Sequence, residues 1–129
     1  MTSKCFFCRM LINDTRNEIL AQNDLAVIIR DTQPVSKGHS LIIPRRHVSS
    51  FFDTSPEERM ALMDLLDLTR KDLDREFSPD DYNIGINDGP LAGQSIPHLH
   101  MHLIPRYKGD KEDPRGGVRW ILPENAKYW

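Results

Sequence analysis

Three of the five histidines in this 129-residue chain stand at every second position of one stretch, His98-Leu99-His100-Met101-His102-Leu103-Ile104. In a β-strand, side chains two residues apart point to the same face, roughly 6–7 Å from each other. Such a strand presents a row of imidazoles on one side and turns Leu99, Met101 and Leu103 to a core on the other. A neutral imidazole nitrogen acts as a nucleophile when the second ring nitrogen is held by a hydrogen-bond acceptor, which fixes the tautomer. The electrophile this suits is a phosphorus bearing a good leaving group. Ser95, Gln94 and loop amides are then the donors that stabilise charge on its oxygens. A metal is not required for such a displacement. A histidine row can also bind a metal, but three imidazoles spread along one strand do not converge on a single ion unaided.

Cys5-Phe6-Phe7-Cys8 is a second chemical feature. Two cysteines at this spacing supply half of a tetrahedral zinc site, which His47 and one histidine of the row could complete. Free thiols or a redox pair fit the same spacing. Any of these suits a reducing compartment better than a secreted disulfide framework does. Neither a secretory leader nor an apolar run of about 18 residues is present, so the expected location is cytoplasmic and no membrane partner is expected. A hydrophobic fraction of 39% with 28% charged residues reads as a soluble domain, 1–129, with a core of its own. The net charge of −2 argues against nucleic acid as a partner, yet leaves room for a small phosphate-bearing molecule bound by local donors.

The elements that must position these residues follow from pattern. Residues 1–17 are polar apart from a few apolar positions, with a turn at Asn13-Asp14. Glu18 to Gln22 and Leu25 to Arg30 read as two strands around Asn23-Asp24, and His39 to Pro44 as a third, after a loop beginning at Asp31. Arg45 to Phe52 reads as a short helix carrying His47. Ser55-Pro56-Glu57-Glu58 starts a long helix, with a Ser cap, Pro in the first turn and Glu three residues after the cap. Leu62, Leu65, Leu66 and Leu73 form its packing stripe, and Pro79 sets its end near Glu76 or Phe77. Tyr82 to Asp88 alternates like the histidine strand, with Asn83, Gly85 and Asn87 on the face that carries the imidazoles if the two strands pair. A glycine inside a strand marks close approach by a ligand or another backbone. Together these give an α+β domain, an antiparallel sheet of about five strands with one long helix and a short helix. Residues 109–129 read as a mostly irregular tail.

The histidine stretch resembles the complete signature of the histidine triad (HIT) family, His-φ-His-φ-His-φ-φ with φ apolar. The likeness extends to the loop from Asp88 to Gln94-Ser95, to Pro105-Arg106, and to the strand from Gly38-His39 through Pro44-Arg45-Arg46-His47, spanning most of residues 5–108. The resemblance implies a HIT-like fold and a nucleotide hydrolase or transferase in which His100 attacks the α-phosphate to form a nucleotidyl-histidine, later resolved by water. It implies that His102 and His98 assist, His98 partly through its backbone carbonyl. Ser95 and Gln94 would contact phosphate oxygens or the leaving group, Asn87 phosphate or ribose, and Asp31 the ribose hydroxyls, with His39 in support. Retention of His102, which the uridylyltransferase branch replaces with glutamine, favours transfer to water. The base is assigned to apolar residues near Val27 and Ile28.

The wording Asp-Gly-Pro-x-Ala-Gly-Gln is similar to the dinucleoside polyphosphate hydrolase branch more than to the purine nucleoside phosphoramidase branch. The resemblance also implies a structural zinc held by Cys5, Cys8, His47 and His98, no organic cofactor, and a homodimer. Trp120, Tyr128 and Trp129 are then either interface aromatics or packing within their own tail. A nucleotide-binding adaptor with incidental turnover and a metal sensor built on the cysteine pair are the competing readings.

Overall fold

The structure, a computed structural model, describes residues 4–14 and 18–129, so part of the polar stretch 1–17 lies outside the described residues. Five strands, β1 (Ala21–Gln22), β2 (Ala26–Arg30), β3 (Ser40–Pro44), β4 (Asp81–Ile86) and β5 (Met101–Arg106), form one antiparallel sheet in the order β1-β2-β3-β5-β4. The expected strand from Glu18 contracts to two residues. Its first amides, those of Glu18 and Ile19, donate instead to the Asp14 carboxylate at 2.6 and 2.9 Å. Between β1 and β2, the Asn23 side-chain oxygen accepts from the amides of Leu25 and Ala26, an Asx turn that closes the hairpin.

The helices are α1 (Phe6–Ile12), α2 (Pro56–Phe77) and α3 (Pro123–Ala126). α2 begins where the sequence places it. The Ser55 hydroxyl accepts from the Glu58 amide, and the Glu58 carboxylate accepts from the Ser55 amide. It ends at Ser78, which adopts a left-handed conformation with φ 49°. Its buried stripe of Ala61, Leu62 and Leu65 meets Ala26, Ile28, Ile42, Leu99 and Met101 in the core on one face of the sheet. On the opposite face, α1 buries Phe7, Cys8 and Met10 against Val27, Ile29, Leu41 and Ile43. Both faces are thus covered at the middle of the sheet. Among the described residues no helix is long and apolar enough to cross a membrane.

The short helix expected over Arg45 to Phe52 does not form. Its backbone is committed to tertiary partners, the Arg45 amide donating to the Leu25 carbonyl at 2.8 Å and the Val48 carbonyl accepting from the Leu99 amide at 2.7 Å, while the Arg46 side chain grips both oxygens of the buried Glu58 carboxylate. Only Phe51–Asp53 close a single 3-10 turn. This extended path is what carries His47 back across the sheet to α1. The tail carries a 3-10 turn at Gly117–Ile121 before α3.

Because the capping box both starts α2 and holds the carboxylate that anchors Arg46, Ser55→Ala should lower stability by about 1 kcal/mol. Urea denaturation is the measurement. A midpoint indistinguishable from that of the parent protein would contradict the assigned role of the cap.

Candidate functional site

Strand register builds the site floor. On the α1 face, Ile29 sits opposite Leu41, Leu41 opposite His102, and His102 opposite Gly85. Asp31 and His39, each two residues along from a member of this row, share the same face. They are joined at the sheet end by a bond from the Asp31 amide to the His39 carbonyl, 2.9 Å. Only His102 of the three alternating histidines lies within β5. His98 and His100 belong to the extended segment leading into it, where Leu99 donates to Val48 rather than to a neighbouring strand.

Hydrogen-bond partners determine the ring tautomers. The His98 carbonyl lies 2.9 Å from His100 Nδ1, so His100 carries its proton on Nδ1 and presents an Nε2 lone pair. The Val35 amide donates to His39 Nδ1 at 3.1 Å, which puts the His39 proton on Nε2. That proton is donated to His102 Nδ1, 2.9 Å away, with an Asp31 carboxylate oxygen at 3.5 Å. His102 must then carry its own proton on Nε2, next to the His100 ring, whose centroid is 5.2 Å from its own. Burial, with further contributions from the neighbouring His100 and His39, pushes the His102 pKa down to about 4. Burial likewise lowers His39, against the opposing pull of Asp31. The site therefore pairs a nucleophilic nitrogen with a neutral N–H donor at neutral pH.

A second cluster lies behind this one. Cys5 Sγ, Cys8 Sγ, His47 Nδ1 and His98 Nδ1 all fall within 4.8 Å of one another. The sulfur–nitrogen separations are 3.4 Å for Cys5–His98, 3.5 Å for Cys8–His98 and 3.2 Å for Cys8–His47. A tetrahedral zinc with ordinary Zn–S and Zn–N bonds needs about 3.6 Å between such ligand atoms. The His98 Nε2 proton is donated to the Pro44 carbonyl at 2.8 Å, leaving Nδ1 as a ligand in the orientation that metal-binding histidines require. Burial and the neighbouring Cys5 push the Cys8 thiol up to about 11, so without a cation it stays protonated. The donor set, spacing and tautomer all fit zinc.

The first cluster opens into a cavity of about 290 Å³, lined by Phe6, Phe7, Ile29, Asp31, Asn87 and Ser95 as well as His100 and His102. Two expected residues are placed elsewhere. Ile28 faces α2 in the opposite core, because its alternation is out of step with that of Asp31. Gln94 accepts from the Gly89 amide and donates to the carbonyls of Ser49 and Ile96, so its amide braces the loop. The apolar wall comes instead from Ile29 and Phe6, while Phe7 sets its ring edge-on to His98 and His100 at 5.7 and 5.2 Å. Parity with Asp31 is a sequence signal for Ile29. Phe6 and Phe7 could have been inferred from the cysteines that flank them. Trp120, Tyr128 and Trp129 pack within the tail: Trp120 donates to the Arg115 carbonyl, and Arg115 and Arg119 lie over the rings of Trp129 and Tyr128.

Residues 13–109 match the HIT domain family model. An adenosine 5'-monophosphoramidase of Schizosaccharomyces pombe is 34% identical over 127 residues, 95% of this chain and 90% of that protein. An asymmetrical bis(5'-nucleosyl)-tetraphosphatase of the same organism is 35% identical over 94 residues, 73% of this chain, which spans about half (52%) of that relative. Among solved structures, a zinc-bound histidine triad family protein of Mycobacterium smegmatis superposes with a TM-score of 0.78 at 30% identity, covering 88% of this chain and 82% of that one.

The depressed His102 pKa has a consequence for stability. In the unfolded chain this imidazole titrates near 6.5, so between about pH 6.5 and 4 the unfolded state binds the extra proton and the folded state does not. Its contribution is complete above that window and lost as pH falls through it. His102→Gln should therefore flatten the decline in urea midpoint between pH 7 and 4.5, and ring NMR of the parent should show His102 uncharged at pH 6. A ring titrating near 6.5 would contradict this.

Proposed function

The chain belongs to the histidine triad family, and on that premise we propose that it is a nucleotidyl hydrolase acting through His100 on the α-phosphate of dinucleoside polyphosphates or related nucleotide derivatives. The observation that carries the reading is the 2.9 Å contact between His100 Nδ1 and the His98 carbonyl, which leaves Nε2 unprotonated. In the first step Nε2 attacks the α-phosphorus and the bond to the leaving group breaks, the electron pair departing with that group. Ser95 and Asn87 stabilise the phosphoryl oxygens, and the Nε2 proton of His102 is available to the leaving atom. Water then attacks the phosphorus, releasing a nucleoside monophosphate and restoring His100. Asp31 accepts from the ribose hydroxyls, His39 holds the His102 tautomer, and Phe6 with Ile29 forms the apolar wall for the base. The family members named above include both a phosphoramidase and a tetraphosphatase, so the same chemistry on a purine nucleoside phosphoramidate is the second reading.

Cys5, Cys8, His47 and His98 would hold zinc, which when bound supplies a structural cross-link between α1 and the sheet. The closed four-ligand set leaves no position for substrate. His98 belongs to both clusters: its ring serves the metal set and its carbonyl serves His100. No organic cofactor enters this chemistry. A homodimer is supported by β4, an edge strand whose own Ile84 is half-exposed, a surface that a second copy would cover. We read residues 1–129 as one domain, and the free cysteine pair fits a reducing, cytoplasmic setting.

His100→Ala should lower turnover of diadenosine polyphosphates and of adenosine 5'-phosphoramidate at least about a thousandfold. Acid quenching of the parent with an α-labelled substrate should trap label on the chain. Full activity in the variant removes the mechanism, and binding without turnover in both proteins favours the adaptor reading.

Elemental analysis of metal-replete protein should find one zinc per chain, lost in Cys5→Ser. A parent protein without stoichiometric zinc would refute the metal assignment.

A further inference from the structure

The cysteine cluster is open to the outside in a way that a structural cross-link does not require. A cavity of about 370 Å³ reaches it, lined by Lys4, Cys5, Phe6, His47, Ser95 and Pro97. None of the three alternating histidines lines this cavity. It meets the nucleotide cavity only along a shared wall, at Phe6, Ser95 and Ile96. Lys4 and His47 are exposed at its rim.

The two thiols are arranged as a pair. Both are free, and both sulfurs converge on His98 Nδ1, at 3.4 and 3.5 Å. Cys5 is the N-cap of α1, its Sγ accepting from the Cys8 amide. One helical turn sets the two backbones about 5 Å apart, within the range that a disulfide bridges. Cys5 lines the cavity and Cys8 lies behind it. α1 has a second anchor, because Phe7 and Met10 pack in the core with Val27 and Ile43. Loss of the cross-link therefore leaves the helix docked.

We propose that Cys5 and Cys8 are also a redox pair, closed to a disulfide by hydrogen peroxide entering through this cavity, and that closure frees the metal and weakens nucleotide binding. Cys5 Sγ attacks one peroxide oxygen and the O–O bond breaks. The departing oxygen leaves as water with the thiol proton, and Cys5 becomes a sulfenic acid. The Lys4 ammonium and the Ser95 hydroxyl are donors for the charge that develops on that oxygen. Cys8 Sγ then attacks the sulfenic sulfur, the S–O bond breaks, and the oxygen leaves as a second water with the Cys8 proton. One peroxide is reduced and two thiols are oxidised. From the metal-bound pair the balance is the same, with two solvent protons taken up and one Zn²⁺ set free. Phe6 and Phe7 stand between the cysteines and line the nucleotide cavity. Drawing the sulfurs together turns them from His98 and tightens the turn that carries both rings. The thiol chemistry stands by itself; its effect on the nucleotide rests on the hydrolase reading above.

Metal-replete protein treated with hydrogen peroxide should lose the mass of two hydrogens and both titratable thiols, and release its zinc to a metallochromic indicator. By calorimetry, adenosine monophosphate should bind the oxidised protein severalfold more weakly, and dithiothreitol with added zinc should restore the affinity. Cys8→Ser should stop at a sulfenic acid on Cys5 that dimedone traps. Lys4→Glu, on the exposed rim, should slow thiol loss severalfold with basal turnover unchanged, and serves if the cysteine variant fails to fold. Thiols that survive peroxide, or a disulfide between two chains, overturn the redox pair. An unchanged rate in Lys4→Glu with no trapped sulfenic acid in Cys8→Ser overturns entry through the cavity. An intrachain disulfide with affinity unchanged within twofold overturns the action on the site. If the reduced parent binds no adenosine monophosphate, the hydrolase reading fails instead, and the pair is judged by mass and thiol count alone.

Discussion

The structure depends on how one buried histidine is held. His98 is sealed from solvent between the sheet and α1, and every polar group it has is engaged. Its Nε2 proton goes to the Pro44 carbonyl, its Nδ1 faces two cysteine sulfurs, and its carbonyl takes the His100 proton. Burial holds its pKa below the ordinary imidazole value, so it stays neutral and keeps a lone pair for the cysteine cluster. The same residue thus ties the N-terminal helix to the sheet and sets the ring beside it. A shift of α1 would reach His100 through the His98 side chain, its backbone carbonyl and one hydrogen bond.

The rest of the site is a relay of neutral imidazoles with unambiguous direction. It begins at a backbone amide, that of Val35, which only donates, and passes through His39 to His102. Each ring accepts on Nδ1 and donates from Nε2, so the proton at the end of the chain lies beside the His100 ring and the cavity. Protonating any member would remove an acceptor and break the sequence of donors, and the low pKa values of His39 and His102 oppose this. His100 is turned the other way, proton on Nδ1, because its partner is a carbonyl. Two histidines two residues apart in the chain therefore acquire opposite tautomers from the groups their rings meet.

Much of this was legible in the residues. The spacing of His98, His100 and His102 gave their common face, the Ser55 and Glu58 pair gave the start of α2, and the alternation of residues 82–88 gave the partner strand with Gly85 turned toward the imidazoles. Where the structure departs from the sequence reading, the reasons are local. Ile28, a base contact by sequence, faces α2, because the residues in step with Asp31 on β2 are odd-numbered. Arg45 to Phe52 reads as a helix, yet its hydrogen bonds go to Leu99, beyond α2 in the chain, and to Glu58 within α2. Gln94, a phosphate or leaving-group contact by sequence, turns its amide to its own loop.

By itself the sequence determined which residues share a face and which types of chemistry they carry, because alternation is a property of the extended backbone and needs no knowledge of neighbours. It also determined the ends of α2, since capping involves residues three positions apart. Only the tertiary structure decided the ring tautomers, the meeting of Cys5 and Cys8 with His47 and His98, and the cavity that opens onto Cys5. Each of these depends on the partner that a distant segment brings, and such a partner is fixed by register and packing rather than by spacing along the chain.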